Sequence, residues 1–482
     1  MRVEQSSTGL IIHEPTDSIK RKCLQYFSLT NPVREYFIYS GNDPNHKPIF
    51  GKEKDVIYIT SGFLKINDPE IQKLKPSKIQ PITPKRVEVK MNRQPRSDLQ
   101  RDCIDKMVNL ASNVHKLTIE LKPGTGKTFI ALYAISKIGY KPLIVAPTTM
   151  LKNQWIENLI DLGIDKNDIA TYIHDAPNKT FCVVTISAIE NELRDDWFKL
   201  HDTLNKSGFG IKVTDESHLH LKGLLKLDSV CNIKYNWYLS ATLGRSDQSE
   251  DRILNRALAD AERFIGNALY EEYQKEYVNI YLQDIYYFPS NKLCDENFRY
   301  GSKGLIRASY YNMLMNYRDG KPFLNNLITL MKRAKSIATY DGKILLLVPL
   351  ISIIDRLVEE MKKDPWFSKY TFSAVNGSMP IAQRREAMEC DFILSTSMSM
   401  GTGVDVSNLA VVVNFDQYAS PIITEQIVGR LRDRGKETWY IDVCDYVRQC
   451  KTISNWGRKR RVLLPYFPGV KPDLKVLPKI RV

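Results

Sequence analysis

An α/β architecture is predicted for this chain: two tandem doubly wound parallel sheets behind a small N-terminal α+β domain. Two rhythms carry the expectation. From about residue 98, short apolar or β-branched runs alternate with helical patterns of roughly 10–15 residues, an order that yields parallel strands with helices on both faces. The same rhythm restarts near residue 343. A third observation sets the front of the chain apart: residues 1 to about 74 hold short alternating runs broken by turn signals such as Gly41-Asn42-Asp43-Pro44.

The elements follow in order. Gly9–Ile12, Tyr36–Tyr39 and Asp55–Ile59 read as strands of a short antiparallel sheet. Tyr36, Phe37 and Tyr39 fit either a stacking surface or a buried strand. From Lys73 to Arg101 the composition shifts to Lys, Arg and Pro, with prolines at 76, 81, 84 and 95, which suits a basic extended linker or an edge strand. The first parallel sheet draws on Leu117–Leu121, Pro142–Ala146, Phe181–Thr185, Gly210–Val213 and Tyr235–Ser240. The second draws on Lys343–Val348, Phe392–Thr396, Ala410–Asn414 and Thr438–Asp442, and residues 245 to 340 connect the two. The expected domains are 1–90 (a small accessory module), 91–265 and 266–447 (the two sheets), and 448–482 (a basic C-terminal tail).

Bulk properties narrow the classes. With 43% hydrophobic and 26% charged residues, ordinary globular cores can form. The 69 Lys and Arg against 55 Asp and Glu leave +14 and a pI near 9.1, a surplus that favours a polyanionic partner through counterion release. The eight cysteines are scattered without a Cys-x-x-Cys pair, so neither a zinc site nor a disulfide framework is expected. The longest apolar stretch, Ile344–Ile354, falls well short of the roughly 18–20 residues of a membrane span. A cytoplasmic monomer is the expectation.

The chemistry concentrates in two places. Residues 121–132 read Leu-Lys-Pro-Gly-Thr-Gly-Lys-Thr-Phe-Ile-Ala-Leu, a glycine-broken loop opening an apolar helix. Pro123, Gly124, Thr125 and Gly126 would present backbone N–H groups to phosphates, with Lys127 beside them and the Thr128 hydroxyl on Mg²⁺. Leu121 stands where the strict phosphate-loop pattern has its first glycine. Asp215-Glu216-Ser217-His218 closes an apolar strand 88 residues beyond Lys127. There Asp215 would hold the metal and Glu216 would orient or deprotonate the attacking water. Together they specify ATP and Mg²⁺ as cofactors.

From about residue 95 to 445 the chain resembles a superfamily 2 helicase, whose motifs it carries in order. Gln100 resembles the glutamine that reads adenine. Ala146-Pro147-Thr148-Thr149-Met150-Leu151 with Gln154-Trp155 resembles the motif whose turn contacts strand phosphates, and Val184-Thr185-Ile186-Ser187 its neighbour. Leu239-Ser240-Ala241-Thr242 resembles the motif that couples hydrolysis to the strand-contact side, a relay to which His218 would belong. In the second sheet, Ser395 to Asp405 resembles the motif that brings Thr396 to nucleic acid and Gly403 and Asp405 to the nucleotide. Gln426-Ile427-Val428-Gly429-Arg430 resembles the arginine-finger motif; position 433 is Asp, so Arg430 matches directly and Arg432 is favoured over Arg434 as the second finger.

The resemblance implies two RecA-like domains, ATP in the cleft between them, and strand-binding surfaces that step as the cleft opens and closes. Its nearer branch is that of bacteriophage UvsW-type helicases with RecG-like and XPB-like relatives, through Gly377-Ser378-Met379-Pro380 to Arg384-Arg385 and the N-terminal module. This branch implies branched or forked duplex DNA as partner, in replication, recombination or repair, with residues 1–90 as an accessory DNA-binding domain and the cytoplasm of a bacterial host as the setting if the chain is phage-encoded. An RNA-directed or transcript-releasing helicase is the alternative, and a nucleic-acid-binding scaffold with a silent ATP site is a third reading. In the last stretch, ten Lys or Arg against one acid surround Trp456, Tyr466 and Phe467, and Arg458 and Arg460 are expected to touch nucleic acid; a solvated tail has the same composition.

Overall fold

The computed structural model describes residues 1–30, 33–40, 55–110, 115–122, 124–240, 247–266, 275–287, 300–301, 304–376, 379–397, 406–432, 435–447, 450–467 and 469–481. The chain forms two compact units, 1–270 and 271–482.

The first unit is built on a seven-stranded parallel sheet. Its spatial order is Ile169–Ala170, Phe181–Thr185, Pro142–Ala146, Ile211–Thr214, Tyr235–Ser240, Lys116–Glu120 and Glu262–Ile265. The five central strands are the apolar runs picked out by pattern. Their residues are buried almost throughout, as strands covered by helices on both faces require. Because every strand runs the same way, all the carboxyl ends lie along one edge, where ligands of such sheets bind.

A five-stranded, mostly antiparallel sheet (order Ile38–Ser40, Val56–Thr60, Gly9–His13, Arg2–Gln5, Ser77–Lys78) packs on the helix Leu221–Val230. Leu10, Ile12, Phe27, Ile57 and Phe63 share one core with Leu221, Leu224, Tyr238 and Ile253. Tyr36 and Phe37 are only 1% and 3% exposed within that core, so they are packing residues and no stacking surface. The seam is polar as well: Thr8 Oγ1 donates to the Asp228 carbonyl (2.8 Å), Ser6 Oγ to that of Cys231 (3.0 Å) and Tyr36 Oη to Glu250 (3.0 Å). A Cβ on Gly9 would collide with the Ser229 carbonyl, which explains the glycine at this crossing.

The basic segment after Lys73 is a strap. Its backbone bonds run from Ile79 to Gln5, from Ile82 to Asn232, and between Lys85 and both Gly208 and Lys141. It thus follows the amino-terminal edge of the parallel sheet, opposite the ligand edge. Arg86 donates to the Ile138 carbonyl at the end of the helix Lys127–Ile138 (2.9 Å), where a cation complements the helix dipole.

The second unit is a parallel sheet of order Phe372–Val375, Phe392–Thr396, Lys343–Val348, Leu409–Asn414, Thr438–Val447, Val278–Tyr287 and Val470–Val476, with Ile480–Arg481 also pairing to Val278–Tyr287. Ile344–Ile354 resolves into a buried strand running into the helix Ile351–Lys363. The terminal stretch expected as a tail is built into this unit. Lys451–Leu463 is a helix and Val470–Val476 pairs with Val278–Tyr287. No helix among the described residues is long and apolar enough to cross a membrane.

Against the helix Arg307–Asn316 lies a buried carboxyl. Asp445 Oδ2 accepts the Tyr310 hydroxyl (2.9 Å), its Oδ1 has no hydrogen-bond partner among the described residues, and burial pushes the group up to about 7. A carboxyl raised in the folded state favours folding below its unfolded range near 4, and that contribution disappears as pH rises through about 7. Urea titrations between pH 5 and 8 are therefore expected to show the second unit losing stability with rising pH. Asp445→Asn is expected to flatten that slope.

Candidate nucleotide and nucleic-acid site

The phosphate-loop candidate sits where the strand Lys116–Glu120 gives way to the helix Lys127–Ile138. Gly124 and Gly126 have φ of 89° and 87°, a left-handed backbone that glycine adopts without a steric cost. That turn leaves the first N–H groups of the helix uncapped by any side chain and open to an anion. Gln100 is 2% exposed behind it. Its Nε2 donates to the Thr125 carbonyl (2.7 Å) and its Oε1 accepts from the Arg96 amide (3.0 Å). In this conformation Gln100 braces the loop, and a Cβ on Gly126 would come within 2.7 Å of its amide. Arg96, which sequence reasoning did not single out, donates to the Gly124 carbonyl.

At the end of the strand Ile211–Thr214 the two carboxylates have distinct surroundings. Asp215 is 7% exposed. Its Oδ1 accepts the Glu216 amide and its Oδ2 the Trp155 indole N–H, both at 3.0 Å. Burial, followed by the neighbouring Glu216 charge, pushes Asp215 up to about 6, while Lys127 pulls it down. Glu216 has φ 44°, a conformation rarely held by a non-glycine residue and one that clusters at functional turns. It faces Lys127, whose Nζ lies 3.1 Å from Glu216 Oε1. The two motifs, 88 residues apart in sequence, therefore meet.

Behind Glu216, His218 Nδ1 lies 3.5 Å from Glu216 Oε2 and 2.7 Å from Ser240 Oγ, with His218 and Ser240 both buried. A continuous polar path thus links Glu216 to the end of the strand Tyr235–Ser240. Two strands further along the same edge, Thr148 caps the helix Thr149–Asp161 by accepting from the Leu151 amide (3.3 Å), next to buried Pro147. Thr185 caps Ile186–Asp195 in the same way (3.2 Å), and its strand pairs it with Ala146. Pro147, Thr148 and Thr185 are thereby neighbours, and the exposed amino-terminal turns of their helices suit strand phosphates.

In the second unit, Thr396 ends the strand Phe392–Thr396 and is 8% exposed. Gln426 lies in the helix Pro421–Val428, followed by Arg430 (7% exposed) and half-buried Arg432. Pro123, Thr242, Gly403 and Asp405, with Arg434, lie outside the described residues.

Arg460 requires a correction. It was expected on nucleic acid, but it is fully buried: its Nε donates to Asp442 Oδ1 (2.6 Å) and its two Nη atoms donate to the Tyr418 and Val443 carbonyls (2.8 and 2.9 Å). A run of four cations on a helix cannot all face water, since side chains point around the full circle. Arg458 and Lys459 take the outer side and are exposed, bordering a shallow cavity of about 330 Å³ with Thr452, Asn455 and Trp456. Arg461 turns inward to Asp442 and Asp284.

Buried Asp215 beside Glu216, with Thr128 next to Lys127 at the start of its helix, is a donor set that a small dication held by one carboxylate and substrate phosphates would fit.

Comparison with known proteins agrees with this layout. Residues 94–245 match the family described as "Type III restriction enzyme, res subunit", and residues 324–434 match "Helicase conserved C-terminal domain". A provisionally named ATP-dependent RNA helicase of Acanthamoeba polyphaga mimivirus is 25% identical over 70% of this chain, which spans 63% of that protein's length. A transcript termination protein of Yaba-like disease virus is 24% identical over 66% of each chain. A provisionally named DNA 3'-5' helicase of Haloarcula marismortui is 28% identical over 32% of this chain and 24% of its own. In structure, S. cerevisiae Dbp5 bound to RNA and ADP BeF3 aligns with a TM-score of 0.52 at 15% identity, over 79% of this chain and 90% of its own. T4 UvsW aligns over 99% of both chains, but its TM-score of 0.33 is too low to carry an argument.

Proposed function

The chain belongs to the superfamily 2 helicases, and from that premise we propose that it is an ATP-driven DNA translocase that unwinds or remodels branched duplexes. The observation that carries the motor reading is the meeting of Lys127 with Glu216 at 3.1 Å beside buried Asp215. Lys127 and Glu216 offset each other's charge. An arriving triphosphate would draw Lys127 onto its phosphates and release Glu216 to orient the attacking water. Thr128 and Asp215 would hold Mg²⁺, which supplies charge neutralisation on the phosphates when bound. By the arginine-finger motif they match, Gln426, Arg430 and Arg432 would act on the transferring phosphoryl group, a contribution of about 10³–10⁵ in rate for arginine fingers. The His218–Ser240 contact would report loss of the γ-phosphate to the strand-contact edge at Pro147, Thr148 and Thr185.

Branched DNA as the partner rests on the net charge of +14 and on the motif layout. The second reading, an RNA-directed or transcript-releasing helicase, is favoured by the names of the mimivirus and Yaba-like disease virus relatives. The discriminating experiment measures ATP hydrolysis and strand separation on forks, four-way junctions, plain duplex and structured RNA. Forks and junctions are expected to stimulate most. RNA as the strongest activator, with branched DNA inert, would replace the DNA reading by the second one.

A further inference from the structure

Trp155 links two parts of the site that the motor must keep in register. We infer that its indole N–H fixes the carboxylate of Asp215 in the orientation that takes the metal, and that the helix Thr149–Asp161 transmits movement of the Pro147–Thr148 turn to it. The inference rests on the motor reading for the roles of Asp215 and of that turn.

The geometry is specific. Trp155 is 1% exposed, and a buried indole N–H needs an acceptor. The acceptor here is no backbone carbonyl but Oδ2 of a carboxylate 60 residues further on, at 3.0 Å. Asp215 Oδ1 is held by the Glu216 amide, and the Asp215 amide donates to the Val145 carbonyl (3.0 Å). With both oxygens and the backbone tied, the carboxylate plane cannot rotate unless Trp155 moves. Trp155 shares the buried face of its helix with Leu151 and Leu159, and that helix begins at the Thr148 cap. Thr148 and Trp155 are separated by two helical turns, about 10 Å of rigid rod. A strand phosphate that shifts the turn therefore shifts the indole, and with it the metal ligand. Packing alone would be served by Phe, which has no donor to offer.

The test is Trp155→Phe in the full chain. A fluorescent ADP analogue is titrated with excess Mg²⁺ and again in chelator, and phosphate release is measured with and without polynucleotide. Affinity in chelator is expected to stay within about twofold of wild type. Affinity with Mg²⁺ should weaken on the order of tenfold, the factor one hydrogen bond to a charged group carries. Stimulation by polynucleotide should fall by a similar factor at an unchanged half-saturating concentration. Benzothienylalanine at position 155, which keeps the indole shape without the N–H, covers the case in which Phe stops the chain folding. Equal weakening with and without metal, or undiminished stimulation, overturns the inference and leaves Trp155 a packing residue. Wild-type protein that binds no nucleotide in either condition would instead remove the motor reading itself.

Discussion

Glu216→Gln is expected to lower polynucleotide-stimulated phosphate release by about 10²–10⁴, the share a positioned general base supplies, while nucleotide stays bound. The two halves of this expectation come from the same contact. Glu216 is the group that can orient water, and its left-handed backbone and its contact with His218 hold it in place. It also pairs with Lys127, at 3.1 Å. Removing its charge takes away the base and at the same time frees Lys127 for the phosphates. Binding of ATP should therefore be unweakened or tighter, in contrast to Lys127→Ala, which should lose binding as well. Equilibrium binding of a fluorescent nucleotide beside steady-state phosphate release separates the two. Loss of binding in Glu216→Gln would show that the pair is structural and that Lys127 depends on it.

Arg460→Ala is expected to destabilise the second unit by about 3–5 kcal/mol, the cost of breaking a buried ion pair by removing one partner. Arg460 and Asp442 are both wholly buried, and the guanidinium spans from Asp442 to the Tyr418 and Val443 carbonyls. Alanine would take the donor from the Tyr418 carbonyl and leave a buried carboxylate held by Arg461 and, at 3.5 Å, by the Tyr440 hydroxyl. Denaturant titration should show the loss in the midpoint. On the same helix, Arg458→Ala with Lys459→Ala should leave stability unchanged, because both side chains are exposed. If these two meet phosphates, the double variant should flatten the salt dependence of duplex binding by about 0.9 log-log units per lost contact. An unchanged slope would mean that this face only keeps the helix soluble.

Much of this was legible before any coordinates. Nine apolar runs became nine parallel strands, because strands buried on both faces must be apolar throughout and so stand out in sequence. The strand Val278–Tyr287 was missed, since Asn279, Gln283 and Asp284 interrupt its apolar pattern. Those polar residues have fixed partners: Gln283 Nε2 donates to the Pro478 carbonyl (3.0 Å), and Asp284 takes Arg461. Lys127, Asp215 and Glu216 could be read from spacing because their chemistry requires those residue types in that order. Arg460 could not be told from Arg458 by composition, since a helix sends neighbouring cations in different directions. Trp155 was legible with Gln154 as part of a strand-contact motif, and not as a partner of Asp215. Its acceptor lies 60 residues away, a distance that only the fold closes.

The most direct test is steady-state phosphate release by the purified chain, with and without polynucleotide, beside Lys127→Ala. Release that is low alone, rises on adding polynucleotide and disappears in the variant is the expected result. Release that ignores polynucleotide, or that survives the loss of Lys127, would contradict a motor built on this pair.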